Sequence, residues 1–89
     1  MANGSRVASD LAIPPGEYLV EAIQELGIEQ AELARRMGTT VQAIHEIVWG
    51  RVSITSDIAG QLERETGVSA DIWLGLENDY RLALARRGE

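Results

Sequence analysis

The sequence predicts an all-α domain of five short helices, and three observations carry that prediction. From Ile13 onward, apolar residues recur at three- and four-residue steps, the period of a helix with one face turned inward. Glycines at Gly27, Gly38, Gly50 and Gly67 close successive runs, and glycine is the residue that most readily ends a helix. No segment shows strand alternation; Val52-Ser53-Ile54-Thr55 comes nearest, but it is too short to pair and sits between helices.

Each element follows from its own residues. Met1–Asp10 is small and polar and reads as a mobile arm over about 1–12, or as an ordinary frayed terminus; the folded domain is expected over 13–87. Pro15 suits a first helical turn, where its missing N–H costs nothing, and Leu19, Ile23 and Leu26 form one apolar face ending at Gly27. A second helix, about Gln30–Met37, turns Leu33, Ala34 and Met37 inward and stops at Gly38. Thr39 followed by Gln42 has the pattern of a capping box and opens a third helix, with Ile44, Ile47 and Val48 inward and Gly50 as its stop. Thr55 caps a fourth helix, which turns Ile58 and Leu62 inward and ends at Gly67. Ser69 caps a fifth, over about 70–87, with Trp73, Leu76, Tyr80 and Leu84 as its apolar stripe.

Composition narrows the function. At 89 residues the chain builds one modest core, burying about 60–65% of the surface the unfolded chain exposes. With no cysteine and a single histidine, His45, neither a disulfide scaffold nor a thiolate or multi-histidine metal site is available. No cofactor is expected. No nucleophile–base pair or paired carboxylates stand out, which argues against an enzyme. No apolar run approaches a membrane span or a signal-peptide core, so a cytoplasmic protein without a membrane partner is expected. Fourteen acidic residues against eight arginines, with no lysine, give a net charge of −6, unlike a general nucleic-acid binder. The distribution qualifies that. Both ends are net acidic, whereas over 29–51 Arg35, Arg36 and Arg51 balance Glu29, Glu32 and Glu46.

The spacing within Gln30–Gly50 points further. Two short helices meet across Gly38-Thr39, with Ala34 four residues before the glycine and Ile44 six after it. A small residue at Ala34 allows close helix approach, and Gly38 permits a left-handed turn. This is the pattern of a helix-turn-helix, whose second helix can enter a DNA major groove. It is also the pattern of any small bundle with a glycine-closed turn.

The run QAELARRMGTTVQAIHEIVWGR (Gln30–Arg51) resembles the helix-turn-helix of the lambda repressor-like, or XRE, family. A wider frame, IPPGEYL (Ile13–Leu19), SITSDIAGQLERETG (Ser53–Gly67) and SADIWLGLENDYRLALAR (Ser69–Arg86), resembles HigA-type antitoxins. It is equally similar to amino-terminal domains of longer XRE proteins. The resemblance implies a five-helix lambda repressor-like fold and a set of DNA-facing residues: Gln30 and Arg51 on phosphates, Thr40 on the backbone at the entrance of the recognition helix, and Val41, Gln42, His45 and Glu46 toward base edges. Chemistry agrees with these roles. Glutamine can pair with adenine through two bonds and valine can touch a thymine methyl, while helix N-termini offer free N–H groups to phosphate. Other roles are open for some of them. Gln42 can complete the Thr39 capping box, His45 can be merely solvated, and Glu46 can be solvated or ion-paired, since it would repel phosphate unless a cytosine donates to it. Arg35 and Arg36 are expected to pair with Glu32 along the helix surface. Many relatives carry a polar residue where this chain has Trp49 or Val41. Trp49 can pack over Val52–Ile54, stack on the DNA backbone or contact a protein.

The resemblance further implies an antitoxin that represses its own operon as a homodimer on double-stranded operator DNA and binds a cognate RNA-cleaving toxin. Tyr80, Leu82 and Leu84, near the end of the fifth helix, are the expected dimer contacts, with Trp73 and Leu76 left to the monomer core. Two other readings stand beside this one: a free-standing XRE regulator without a toxin, and a protein-interaction module that has lost DNA binding.

Overall fold

The computed structural model describes residues 12–88, so all but the last residue of the expected arm lies outside the described residues. It shows five helices: α1 (Pro15–Leu26), α2 (Gln30–Met37), α3 (Val41–Val48), α4 (Ser56–Thr66) and α5 (Ala70–Arg87). No strand is present among the described residues.

Left-handed glycines and short side-chain caps set the helix limits. Gly27, Gly38 and Gly50 have φ of 76°, 69° and 73°, and each closes the preceding helix with a pair of backward hydrogen bonds. At Gly38 these run from the Gly38 N–H to Arg35 O (3.2 Å) and from the Thr39 N–H to Ala34 O (2.9 Å), a Schellman closure. That closure corrects one expectation. With its N–H committed to ending α2, Thr39 does not open α3; Thr40 takes the extended cap conformation (φ −102°, ψ 158°) and its hydroxyl accepts the Ala43 N–H. The Thr39–Gln42 capping box does not form. Thr55 and Ser69 cap α4 and α5 as expected, accepting the N–H groups of Ile58 and Ile72.

The core joins all five helices. Leu19 and Ile23 of α1, Leu33 and Ala34 of α2, Ile44 and Ile47 of α3, Ala59 and Leu62 of α4 and Trp73 of α5 pack as one cluster, with Ile54 from the α3–α4 link. Met37, Val48, Ile58 and Leu76 pack against it partly buried. One apolar assignment fails at a helix end. Leu26 is exposed, because the Gly27 turn brings Ile28, not Leu26, against the core. Leu84, expected as a dimer contact and not as core, is exposed, and the far end of α5 buries only the small Ala83.

The expected apolar stripe of α5 contains a buried carboxylate, Glu77. Its Oε1 accepts the Ile54 N–H at 3.0 Å, and its other oxygen pairs with Arg81. The link that follows α3 has no helix of its own to satisfy that N–H, and Glu77 supplies the acceptor. Arg81 Nη2 also lies 3.5 Å from the Gly50 carbonyl. Together these contacts tie the end of α3 to α5.

Candidate nucleic-acid interface

The geometry of α2 and α3 starts from a close approach at Gly16. A Cβ there would fall 2.2 Å from the Val48 Cα, so only glycine lets α1 seat the back of α3. Ile44 and Ile47 fix the inner face of α3 in the core. The outer face then carries Val41, Gln42, His45 and Glu46, with Trp49 and Arg51 just beyond the helix.

Four of these side chains and the Trp49 ring form one connected surface. Gln42 Nε2 donates to Glu46 Oε2 at 2.9 Å, and Arg51 Nη1 lies 3.7 Å from the same oxygen. The Trp49 ring, 53% exposed, stacks on His45 with centroids 5.3 Å apart and an interplanar angle of 29°. The Arg51 guanidinium stands 4.8 Å from the Trp49 ring centroid, within cation–π range. Trp49 is therefore a half-exposed slab between His45 and Arg51. His45 is half-buried. Sequence reasoning placed Trp49 near this surface but missed the stack. A four-residue step from His45 on one helix is the signal that could have found it.

The other expected contact residues occupy defined positions. Val41 is 40% exposed at the first turn of α3, and Thr40 caps that turn through its Oγ1, 3.0 Å from the Ala43 nitrogen. The Thr40 carbonyl receives the Ile44 N–H, which leaves the first amides of α3 without partners in the helix. Gln30 begins α2, half-buried, with its Oε1 buried and without a hydrogen-bond partner. No hydrogen bond joins Gln30 to the α3 group among the described residues. The expected α2 ion pairs are present. Glu32 accepts from Arg35 Nε at 3.1 Å and Arg36 Nε at 2.9 Å. The Arg35 bonds, then those of Arg36, hold the Glu32 carboxyl at about 2, well below the usual carboxylate range, and raise Arg35 in turn. On α5, Leu82 and Leu84 are exposed. Tyr80 is half-buried, and a Cβ at Gly50 would fall 2.8 Å from its hydroxyl.

No helix among the described residues is long and apolar enough to cross a membrane.

Comparison with known proteins bears on this geometry. A helix-turn-helix family model, HTH_3, matches residues 19–73. The HTH-type transcriptional regulator YddM of Escherichia coli (strain K12) is 30% identical over 73 residues, which span 82% of this chain and 78% of that protein. The solved structure of Pseudomonas aeruginosa antitoxin HigA with higBA promoter superposes with a TM-score of 0.79 at 34% identity, covering 88% of this chain and 86% of that one. An addiction module antidote protein of a HigA family from Coxiella burnetii gives a TM-score of 0.79 at 29% identity, over 86% of this chain and 85% of that one.

Proposed function

This chain belongs to the HTH_3 helix-turn-helix family, and from that premise we propose that it is a sequence-specific DNA-binding antitoxin: a dimeric repressor of its own operon that also neutralises an RNA-cleaving toxin. The observation that carries the reading is its likeness, over 88% of the chain, to an antitoxin solved with promoter DNA. The outer face of α3 fits the task. Val41 and Gln42 stand exposed at its start, where a valine can meet a thymine methyl and a glutamine can pair with adenine. The Val41 and Gln42 amides, ahead of the Ala43 N–H that Thr40 caps, can receive a phosphate with no lysine in the chain. Gln30 and Arg51 are assigned further phosphates, and His45 a base edge or the adjoining backbone.

One copy of α3 reads only a few base pairs, so specific binding needs two copies on half-sites about one helical turn apart. Leu82 and Leu84 are the residues assigned to the dimer contact, and their exposure in the single chain supports that assignment. Tyr80 joins them only through its exposed edge, because its hydroxyl is turned toward Gly50. Toxin neutralisation rests on the likeness to antitoxins alone. Glu21 and Glu25, both exposed on α1, offer an acidic face to a basic partner.

A second reading, a free-standing transcription regulator, is favoured by the likeness to YddM, which is named as a regulator and not as an antitoxin. A reporter driven by DNA from upstream of the gene tests the shared part. The wild-type chain represses it, and Gln42→Ala, costing about 1–3 kcal/mol of operator binding, relieves repression. Undiminished expression with the wild-type chain would reject both readings. Co-expression with the product of the adjacent small reading frame separates them: rescue of growth supports the antitoxin, and a harmless neighbour supports the regulator.

A further inference from the structure

The connected surface on α3 holds an acidic residue where DNA binding would least favour one. Glu46 sits between Gln42 and Arg51, bonded to the first at 2.9 Å and paired with the second at 3.7 Å. Neither contact is incidental to the backbone. Gln42 precedes Glu46 by one helical turn, the spacing at which helix side chains meet. Arg51 is brought back by the Gly50 closure, in which the Arg51 N–H donates to the Glu46 carbonyl at 2.9 Å. Both the main chain and the side chain of Arg51 are therefore referred to Glu46.

These contacts have two consequences. A carboxylate only accepts hydrogen bonds, so the group of Gln42 that faces Glu46 must be its NH2. That fixes which end of the amide is nitrogen and turns the Gln42 oxygen away from Glu46. Adenine presents an acceptor, N7, beside a donor, N6–H2, in the major groove. A glutamine of fixed orientation meets that pair in one direction only. Arg51 is the second consequence. Its side chain is 63% exposed and its ion pair with Glu46 is open to solvent. Such a pair is weak enough for a phosphate to displace, yet the carboxylate opposes any phosphate that approaches without a compensating base contact.

We propose that Glu46 is a positioning and screening residue for DNA recognition: it orients the Gln42 amide and holds Arg51 back from phosphate, so that binding is strong only where the bases suit Gln42. This rests on the DNA-binding reading given above. It gives an acidic side chain on a recognition surface a function distinct from base contact.

Glu46→Gln tests it, because glutamine keeps the size of the side chain and removes its charge. Fluorescence anisotropy would compare the wild-type and variant chains on duplex DNA from upstream of the gene, on single-base-pair variants of it, and on a scrambled duplex. The expected result is a gain of about three- to tenfold on the scrambled duplex, a smaller gain on the upstream duplex, and reduced discrimination at the one base pair where Gln42→Ala also reduces it. With Gln42→Ala already in place, Glu46→Gln should cause no further loss at that base pair. An equal gain on every duplex would reduce Glu46 to a charge and overturn the positioning role. A selective loss on the upstream duplex with no gain on the scrambled one would make Glu46 a base contact, and also overturn it. No change on any duplex would overturn both roles. Failure of the wild-type chain to prefer the upstream duplex would instead reject the DNA-binding reading itself. Thermal unfolding by circular dichroism shows that the variant is folded, and Arg51→Gln should lower the salt slope by about one on the upstream duplex and by less on the scrambled one, where Glu46 still holds Arg51.

Discussion

At the residue scale, positions with no polar chemistry decide how the outer face of α3 is presented. Gly16 has no side chain to contribute, but the Val48 backbone occupies the space where a Cβ would lie. Gly16→Ala should therefore cost about 2–3 kcal/mol in urea unfolding and weaken DNA binding by displacing α3 from α1. Gly75→Ala is the control. It lies within α5 with nothing near its Cβ position, and should gain about 0.5–1 kcal/mol. Equal effects at the two sites would contradict the packing account. The contact at Gly16 could not be read from the sequence, because it joins residues far apart in the chain and leaves no periodic trace. The same limit explains the cap of α3. Two adjacent threonines offer the same chemistry, and the choice of Thr40 follows from the Thr39 N–H being used to close α2.

At the element scale, the ends of helices were legible and their far sides less so. Gln30–Met37 matches the expected second helix because its stop, Gly38, carries its own conformational signal in the sequence. Glu77 was not anticipated, since a charged residue in a helix is ordinarily read as facing water. Its burial makes sense only once Ile54, 23 positions earlier, presents an N–H without a partner. Glu77→Ala should leave that N–H and Arg81 without their acceptor and cost about 2–3 kcal/mol. Glu77→Gln should recover part of the loss by keeping an oxygen for Ile54. Urea midpoints for the two variants check this, and identical losses would assign the whole effect to Arg81. On α2, the Glu32 carboxyl titrates at about 2, below the ordinary 4.5. Its pairing with Arg35 and Arg36 therefore contributes fully above pH 4.5 and is lost as the pH falls through about 2. Stability measured against pH for wild type and Glu32→Gln should differ by a constant amount above pH 5 and converge toward pH 2. Parallel curves throughout would contradict the pairing.

At the scale of the whole molecule, net charge was the least informative property of the sequence. In a chain of net charge −6, the acidic member of the outer α3 surface is already engaged by an amide and an arginine. Composition could not show that arrangement, because it depends on the Gly50 turn returning Arg51 to Glu46. The lambda repressor-like architecture and the position of the α2–α3 turn were legible, since glycine stops and caps encode them locally. Which end of α5 faces outward was only half legible: Leu82 and Leu84 are exposed, while Tyr80 is turned toward Gly50. If those leucines join two copies, Leu82→Asp with Leu84→Asp should give a folded monomer by light scattering; an intact dimer would move the interface elsewhere. Specific recognition of DNA by a pair of chains is the central proposal. The most direct measurement is a fluorescence-anisotropy titration on duplex DNA from upstream of the gene, beside a scrambled duplex, across a salt series. The account predicts at least about a hundredfold preference for the upstream duplex, two chains per site, and affinity that falls steeply with salt. Equal, weak binding to both duplexes would contradict it and leave a protein-interaction module that keeps the fold without the recognition.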